Sequence, residues 1–245
     1  MNLLEVQGLR KTYPAFRLED VSFSVPEGTV MGLIGRNGAG KSTTLKSILG
    51  LVHPDAGRVE MFGREFSENE RYIKENIGVV LGGIDFYPKK KVRTITDVTR
   101  RFYSNWQEEK YRHYLDLFAI DENKRVDQLS SGMRVKYLLA LALSPTARLL
   151  ILDEPTSGLD PVSRDELTEL LRRIAADGTR SVLFSTHITS DLEKCASHIT
   201  FIQEGRLQRS DTLAGFMAHY ADLGSTLEEI IVAAERRPYD ADAII

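Results

Sequence analysis

The chain has 245 residues, 42% of them hydrophobic and 27% charged. That length is enough to bury a sizeable core. With 32 Lys plus Arg against 35 Asp plus Glu, the net charge is −3, which removes any general pull toward nucleic acid or anionic lipid. The basic run Lys89, Lys90, Lys91 and Arg93 is read as a solvated loop. A single cysteine, Cys195, excludes an intrachain disulfide and fits a reducing compartment. The first ten residues lack the basic-then-apolar pattern of a signal peptide. No apolar run approaches the roughly 20 residues that span a bilayer, so work at a membrane is expected to need spans from another chain.

Strand-like and helix-like segments alternate along the chain without internal repeats, which predicts an α/β fold. Val30–Ile34 is a short apolar run that ends at glycine, and residues 149–152, 181–185 and 199–203 are three more. Unbroken apolar runs of this length suit strands buried on both faces. Residues 85–129 carry aromatic and charged side chains at helical spacing and predict a helical insertion. A further helix is predicted over 132–143, ended by Pro145. Asp160-Pro161 starts a helix with an apolar stripe at Leu167, Leu170, Leu171 and Ile174, and Gly178 stops it. From Asp211 the sequence predicts one or two short helices, followed by a loosely held tail over 236–245.

The segment Gly35-Arg36-Asn37-Gly38-Ala39-Gly40-Lys41-Ser42 fits G-x-x-x-x-G-K-[ST], with a predicted strand before it and a helix from Lys41 onward. Glycines let backbone N–H groups turn inward around phosphate oxygens, and the helix that follows presents its positive end to the same anion. Lys41 is placed to reach the β- and γ-phosphates and Ser42 to ligate Mg²⁺. The dinucleotide pattern G-x-G-x-x-G is not met, because Thr43 stands where the third glycine belongs.

The run from Leu149 ends in Asp153 and Glu154. Open α/β sheets bind ligands at the C-terminal ends of their strands. Beside a phosphate loop, Asp153 suits Mg²⁺ and Glu154 suits polarising an attacking water. His187 follows the next buried run, at the same predicted sheet edge. It is read as able to sense the γ-phosphate or to orient Glu154.

With these residues in place the chain resembles the ATP-binding subunits of ABC transporters from Leu3 to about Gln208. Leu129-Ser130-Ser131-Gly132-Met133 looks like the family signature, LSGGQ in its usual form, and Ser157-Gly158-Leu159-Asp160 looks like its D-loop. Tyr13 sits where the family stacks an aromatic ring on adenine. The resemblance implies a P-loop NTPase core of RecA-like type with antiparallel strands added and a helical subdomain inserted at about 85–145. It implies an ATPase domain over 1–210 and a C-terminal helical extension over 211–245. It further implies that Gly35, Asn37, Gly38, Ala39, Gly40, Lys41, Ser42 and Thr43 hold ATP in one chain. Ser130, Ser131, Gly132 and Asp160 are then expected to meet the nucleotide of a second ABC ATPase chain, identical or sister. Lys41, Glu154 and His187 are the implied catalytic set, with Ser42 and Asp153 on Mg²⁺. Multi-span permease subunits at the cytoplasmic face of the cell membrane are the implied partners, with no nucleic acid. The look is nearest to bacterial exporter subunits, the Leu-Glu-Glu-Ile of 227–230 included.

Two departures stand out. The signature carries Ser131 for glycine and Met133 for glutamine. The residues after the strand at 77–81, where the family has its Q-loop glutamine, include Gly82, Gly83 and Asp85 but no glutamine. Mg²⁺ is then expected to rest on Ser42, Asp153, water and the nucleotide. ABC ATPases acting on ribosomes or DNA are the alternative. They carry paired domains, long coiled coils or zinc motifs, and none of these is visible here. A regulatory ATP binder without turnover is opposed by the intact Glu154.

Overall fold

The structure, a computed structural model, describes residues 1–81 and 87–236. An antiparallel hairpin of β1 (Asn2–Tyr13) and β2 (Phe16–Pro26) comes first. It is followed by β3 (Val30–Ile34), α1 (Lys41–Ile48), β4 (Ala56–Met61), the short β5 (Arg64–Glu65), α2 (Phe66–Asn76) and β6 (Ile77–Val80). Next come α3 (Val92–Thr99), α4 (Glu108–Leu117) and α5 (Ser131–Leu143), with 3₁₀ turns at Arg100–Phe102 and Val126–Gln128. The chain then runs through β7 (Leu149–Asp153), α6 (Pro161–Ala175), β8 (Ser181–Thr186), α7 (Thr189–Cys195) and β9 (His198–Gln203). It closes with β10 (Arg206–Thr212), α8 (Leu213–His219) and α9 (Leu227–Glu235).

The ten strands among the described residues make one mixed sheet in the order β5-β4-β1-β2-β10-β9-β3-β8-β7-β6. Strands β6, β7, β8, β3 and β9 pair in parallel, while β1, β2 and β4 pair antiparallel. The expected P-loop core with added antiparallel strands is therefore present.

Period-two alternation explains why the parallel strands carry apolar residues on both faces. In β3, Val30 and Ile34 join a core formed with α5, α6, α7 and α9, while Met31 and Leu33 join a core formed with α1 and the antiparallel strands. In β8, Val182 and Phe184 face the first core and Leu183 the second. Each strand thus buries both faces, and none of the five residues of β3 is exposed.

The four predicted strands all form, and β7 and β8 each run one residue further than their apolar runs, into Asp153 and Thr186. Helix α5 begins at Ser131, and α6 begins at Pro161 behind Asp160, with Leu167, Leu171 and Ile174 buried. Between 87 and 129 the described residues are helical apart from turns and one isolated bridge, Lys91 with Arg125. The predicted boundary at residue 210 falls inside β10. Beyond it the two short helices are part of the main core, because Phe216, Leu227 and Ile230 are fully buried beside Phe201. Residues 237–245, read as a tail, lie outside the described residues.

Two outcomes follow from this packing. Phe184→Ala in the central strand lowers unfolding free energy by about 3–5 kcal/mol, measured by denaturant titration; a loss below about 1 kcal/mol contradicts the placement. Burial pushes the Cys195 thiol up to about 12, so iodoacetamide at neutral pH leaves it unmodified in the native chain and labels it on unfolding.

Candidate functional site

Parallel register brings three separate stretches of sequence to one edge. Ile34 pairs with Thr186, and Asp153 pairs with Ser185. The loop after β3, the acids ending β7 and the histidine after β8 therefore emerge side by side at the C-terminal ends of their strands.

The loop 35–40 leads into α1 with Lys41 as its first residue. Gly35 is required by close approach, since a Cβ there would stand 2.1 Å from the carbonyl oxygen of Ile202. Lys41 is 5% exposed, and its ammonium donates to the carbonyls of Gly35 at 2.6 Å and Arg36 at 3.2 Å. The same ammonium stands 3.4 Å from Glu154 Oε1. Glu154 Oε2 lies 2.7 Å from His187 Nδ1. One carboxylate thus bridges the phosphate-loop lysine and the histidine, one oxygen to each.

Glu154 adopts φ +51, a left-handed conformation that costs of order 1–3 kcal/mol for a non-glycine residue. Three bonds hold it there: its N–H donates to Ser185 Oγ at 2.9 Å and to the Ser185 carbonyl at 3.2 Å, and its carbonyl accepts from Ser157 N–H at 3.1 Å. Ser185 Oγ also donates to Asp153 Oδ1 at 2.5 Å, and Ser42 Oγ donates to the same oxygen at 3.1 Å. Ser185, which sequence reading did not single out, therefore positions both acids. No sequence signal marked it, because its role comes from its register with Asp153 on the neighbouring strand.

Ser42 and Asp153 form a hard, oxygen-only pair beside the phosphate loop. That donor set fits Mg²⁺, which is usually held by one or two protein ligands together with substrate phosphates and water. Among the described residues no cluster of three or more His, Cys, Asp or Glu is arranged to hold a metal alone. The magnesium would accordingly be shared with the nucleotide.

A cavity of about 630 Å³ opens over these groups, lined among others by Asn37, Gly38, Gly40, Lys41, Ser42, Thr43, Glu154 and His187. Ala39 is buried behind the loop, its N–H bonded to Arg36 O. Phe16 lines the cavity. Tyr13 is its cross-strand partner, 38% exposed, and is not among the lining residues. Direct cross-strand partners share a face, so Tyr13 stands beside Phe16 next to the hairpin loop.

The signature stands apart from this cavity, and none of Ser130, Ser131, Gly132 or Asp160 lines it. Ser130 caps α5 by accepting from Met133 N–H at 3.2 Å. Gly132 abuts the next helix, where a Cβ would sit 2.8 Å from Ser163 Oγ. Asp160 caps α6, accepting from the Val162 and Ser163 N–H groups at 3.1 Å and from Ser163 Oγ at 2.6 Å. The Ser163 hydroxyl is the main cause that holds the Asp160 carboxyl below its usual range. The two helix starts thus lie together, with their caps formed. Gly82, Gly83 and Asp85 fall outside the described residues.

Comparison with known proteins gives a consistent result. The family model for the ABC transporter matches residues 18–157. The chain is 32% identical over 208 residues to the bacitracin transport ATP-binding protein BcrA of Bacillus licheniformis, spanning 84% of this chain and 68% of that protein. It is 39% identical over 191 residues to the Nod factor export ATP-binding protein I of Burkholderia orbicola, spanning 76% and 62% respectively. A solved ATP-binding subunit of an ABC transporter superposes with a TM-score of 0.84 at 29% identity, covering 96% of this chain and all of that one.

Ser185→Ala removes the hydroxyl shared by both acids. It should raise the Mg²⁺ concentration for half-maximal ATP hydrolysis by about tenfold, in line with a lost charge-assisted hydrogen bond. An unchanged Mg²⁺ titration would assign Ser185 to packing alone.

Proposed function

The chain belongs to the ABC transporter family of ATP-binding subunits, and on that premise we propose that it is the ATP-hydrolysing motor of an exporter. The observation that carries the reading is the Lys41–Glu154–His187 constellation at the strand edge. Among the described residues no helix is long and apolar enough to cross a membrane. In this reading separate multi-span subunits carry the cargo, and this chain works at their cytoplasmic face. The export direction rests on the relative named for Nod factor export.

ATP enters over the phosphate loop with its base near Phe16 and Tyr13. The phosphates compete for the Lys41 ammonium, which now lies within 3.4 Å of Glu154. Transfer of Lys41 to the β- and γ-oxygens frees Glu154 Oε1 to accept a proton from the attacking water. His187 holds the other carboxylate oxygen and keeps it aimed across the cavity. Ser42 and Asp153 would hold Mg²⁺ together with the phosphates, and the ion when bound would supply charge neutralisation there.

A second chain completes the site. Ser130 and Gly132 lie away from their own chain's phosphate cavity, at the start of a helix whose free N–H groups suit a γ-phosphate. Two chains set head to tail bring that helix start over the partner's nucleotide. Closure around ATP and release after hydrolysis then drive the membrane subunits.

A tagged Glu154→Gln chain, purified from gently solubilised membranes with ATP and Mg²⁺, should bring a multi-span membrane protein with it. Recovery of ribosomes or DNA, or no membrane partner, moves the weight to an ABC ATPase outside transport. If the recovered complex holds two copies of this chain, mixing Lys41→Ala and Ser130→Phe chains restores part of the activity that each lacks alone. No restoration contradicts the shared site.

A further inference from the structure

Helix α9 ties two parts of the site together from outside the cavity. Its first residue, Leu227, donates its N–H to Glu193 Oε1 at 2.8 Å, and Glu193 belongs to α7, which follows His187. Leu227 and Ile230 are fully buried, so the helix is fixed on the core. Near its end, Ala234 O accepts from Gln203 Nε2 at 3.0 Å. The last helical residue, Glu235, has a side chain only 8% exposed. Its Oε1 accepts the Arg36 backbone N–H at 3.0 Å, and its Oε2 lies 3.7 Å from Arg36 Nε.

That N–H belongs to the peptide unit joining Gly35 and Arg36. The carbonyl of the same unit accepts from Lys41 Nζ at 2.6 Å. One peptide plane therefore lies between a buried carboxylate and a buried ammonium, with its N–H toward the first and its C=O toward the second. A carboxylate on the N–H side draws the amide toward its charge-separated form and strengthens the carbonyl as an acceptor. It also fixes the rotation of the plane, which decides where the carbonyl points.

We infer that Glu235 is a positioning residue for ATP binding, setting the place of Lys41 through the Gly35–Arg36 peptide. The inference rests on the phosphate-site reading given above. Glu235 touches neither nucleotide nor water in that account; it acts through the peptide alone. The net effect of its negative charge on the bound phosphates is unfavourable. That repulsion is reduced because the Arg36 guanidinium stands 3.7 Å from the carboxylate and Glu235 is not among the residues lining the phosphate cavity.

The test measures MgATP binding with a fluorescent analogue, and ATP turnover, in the full chain and two variants. Glu235→Ala should raise the dissociation constant and KM by about tenfold with kcat within about twofold, the scale of one charge-assisted hydrogen bond. Glu235→Gln keeps an acceptor oxygen for the Arg36 N–H and should recover most of the affinity. Thermal midpoints are recorded beside these values. Equal affinity loss in both variants, or a loss confined to the thermal midpoint, overturns the inference. Tighter binding in Glu235→Ala would also overturn it, showing that repulsion outweighs positioning. A wild-type chain that bound no nucleotide would defeat the phosphate-site reading itself, and this inference with it.

Discussion

The parallel register of β3, β8 and β7 is the constraint on which the site depends. With Ile34 level with Thr186 and Ser185 level with Asp153, a lysine, two acids and a histidine spread over 147 positions of sequence arrive at one edge. The register is strongly specified because each strand is buried on both faces, and a slip of one residue would exchange the two cores. The positive φ of Glu154 is tolerated for the same reason. Ser185 stands level with the end of β7 and takes the Glu154 N–H, so strain at one residue is held by the strand next to it.

The Glu154 carboxylate is the pivot of the resulting electrostatics. It occupies the lysine and the histidine at once, and the arriving phosphates are the natural competitor for the lysine. In the proposed mechanism, substrate binding and release of the base are one event, which limits activation of water when no nucleotide is bound. The signature helix and the D-loop cap add a second level of control. Their cap bonds are already formed within the chain, so in the proposed shared site they would meet a partner as ordered helix starts.

Much of this was legible in the sequence because local chemistry and tertiary demand agree there. Apolar runs became strands, Asp160-Pro161 became a capped helix start, and the glycine loop stands between a strand and a helix. Ser185 was not legible, because its role depends on which strand lies beside it. Phe16 was overlooked beside Tyr13, because only the pairing across the hairpin puts it next to that ring and at the cavity wall. The C-terminal helices looked like an appendage because each is short and weakly patterned. Their burial depends on long-range contacts with α7 and Phe201. Glu235 is the clearest case: an acid ending a small helix acquires meaning only through the backbone amide it meets 199 positions away.

The most direct test of the account separates ATP binding from ATP cleavage at Glu154. Wild-type and Glu154→Gln chains are each saturated with MgATP in the assembled complex, and product is followed through a single turnover. The account predicts equal or tighter ATP binding in Glu154→Gln and a cleavage rate reduced by about 10²–10⁴-fold, the range of a lost general base. Cleavage at the wild-type rate in the variant would contradict it, and would remove Glu154 from the chemistry.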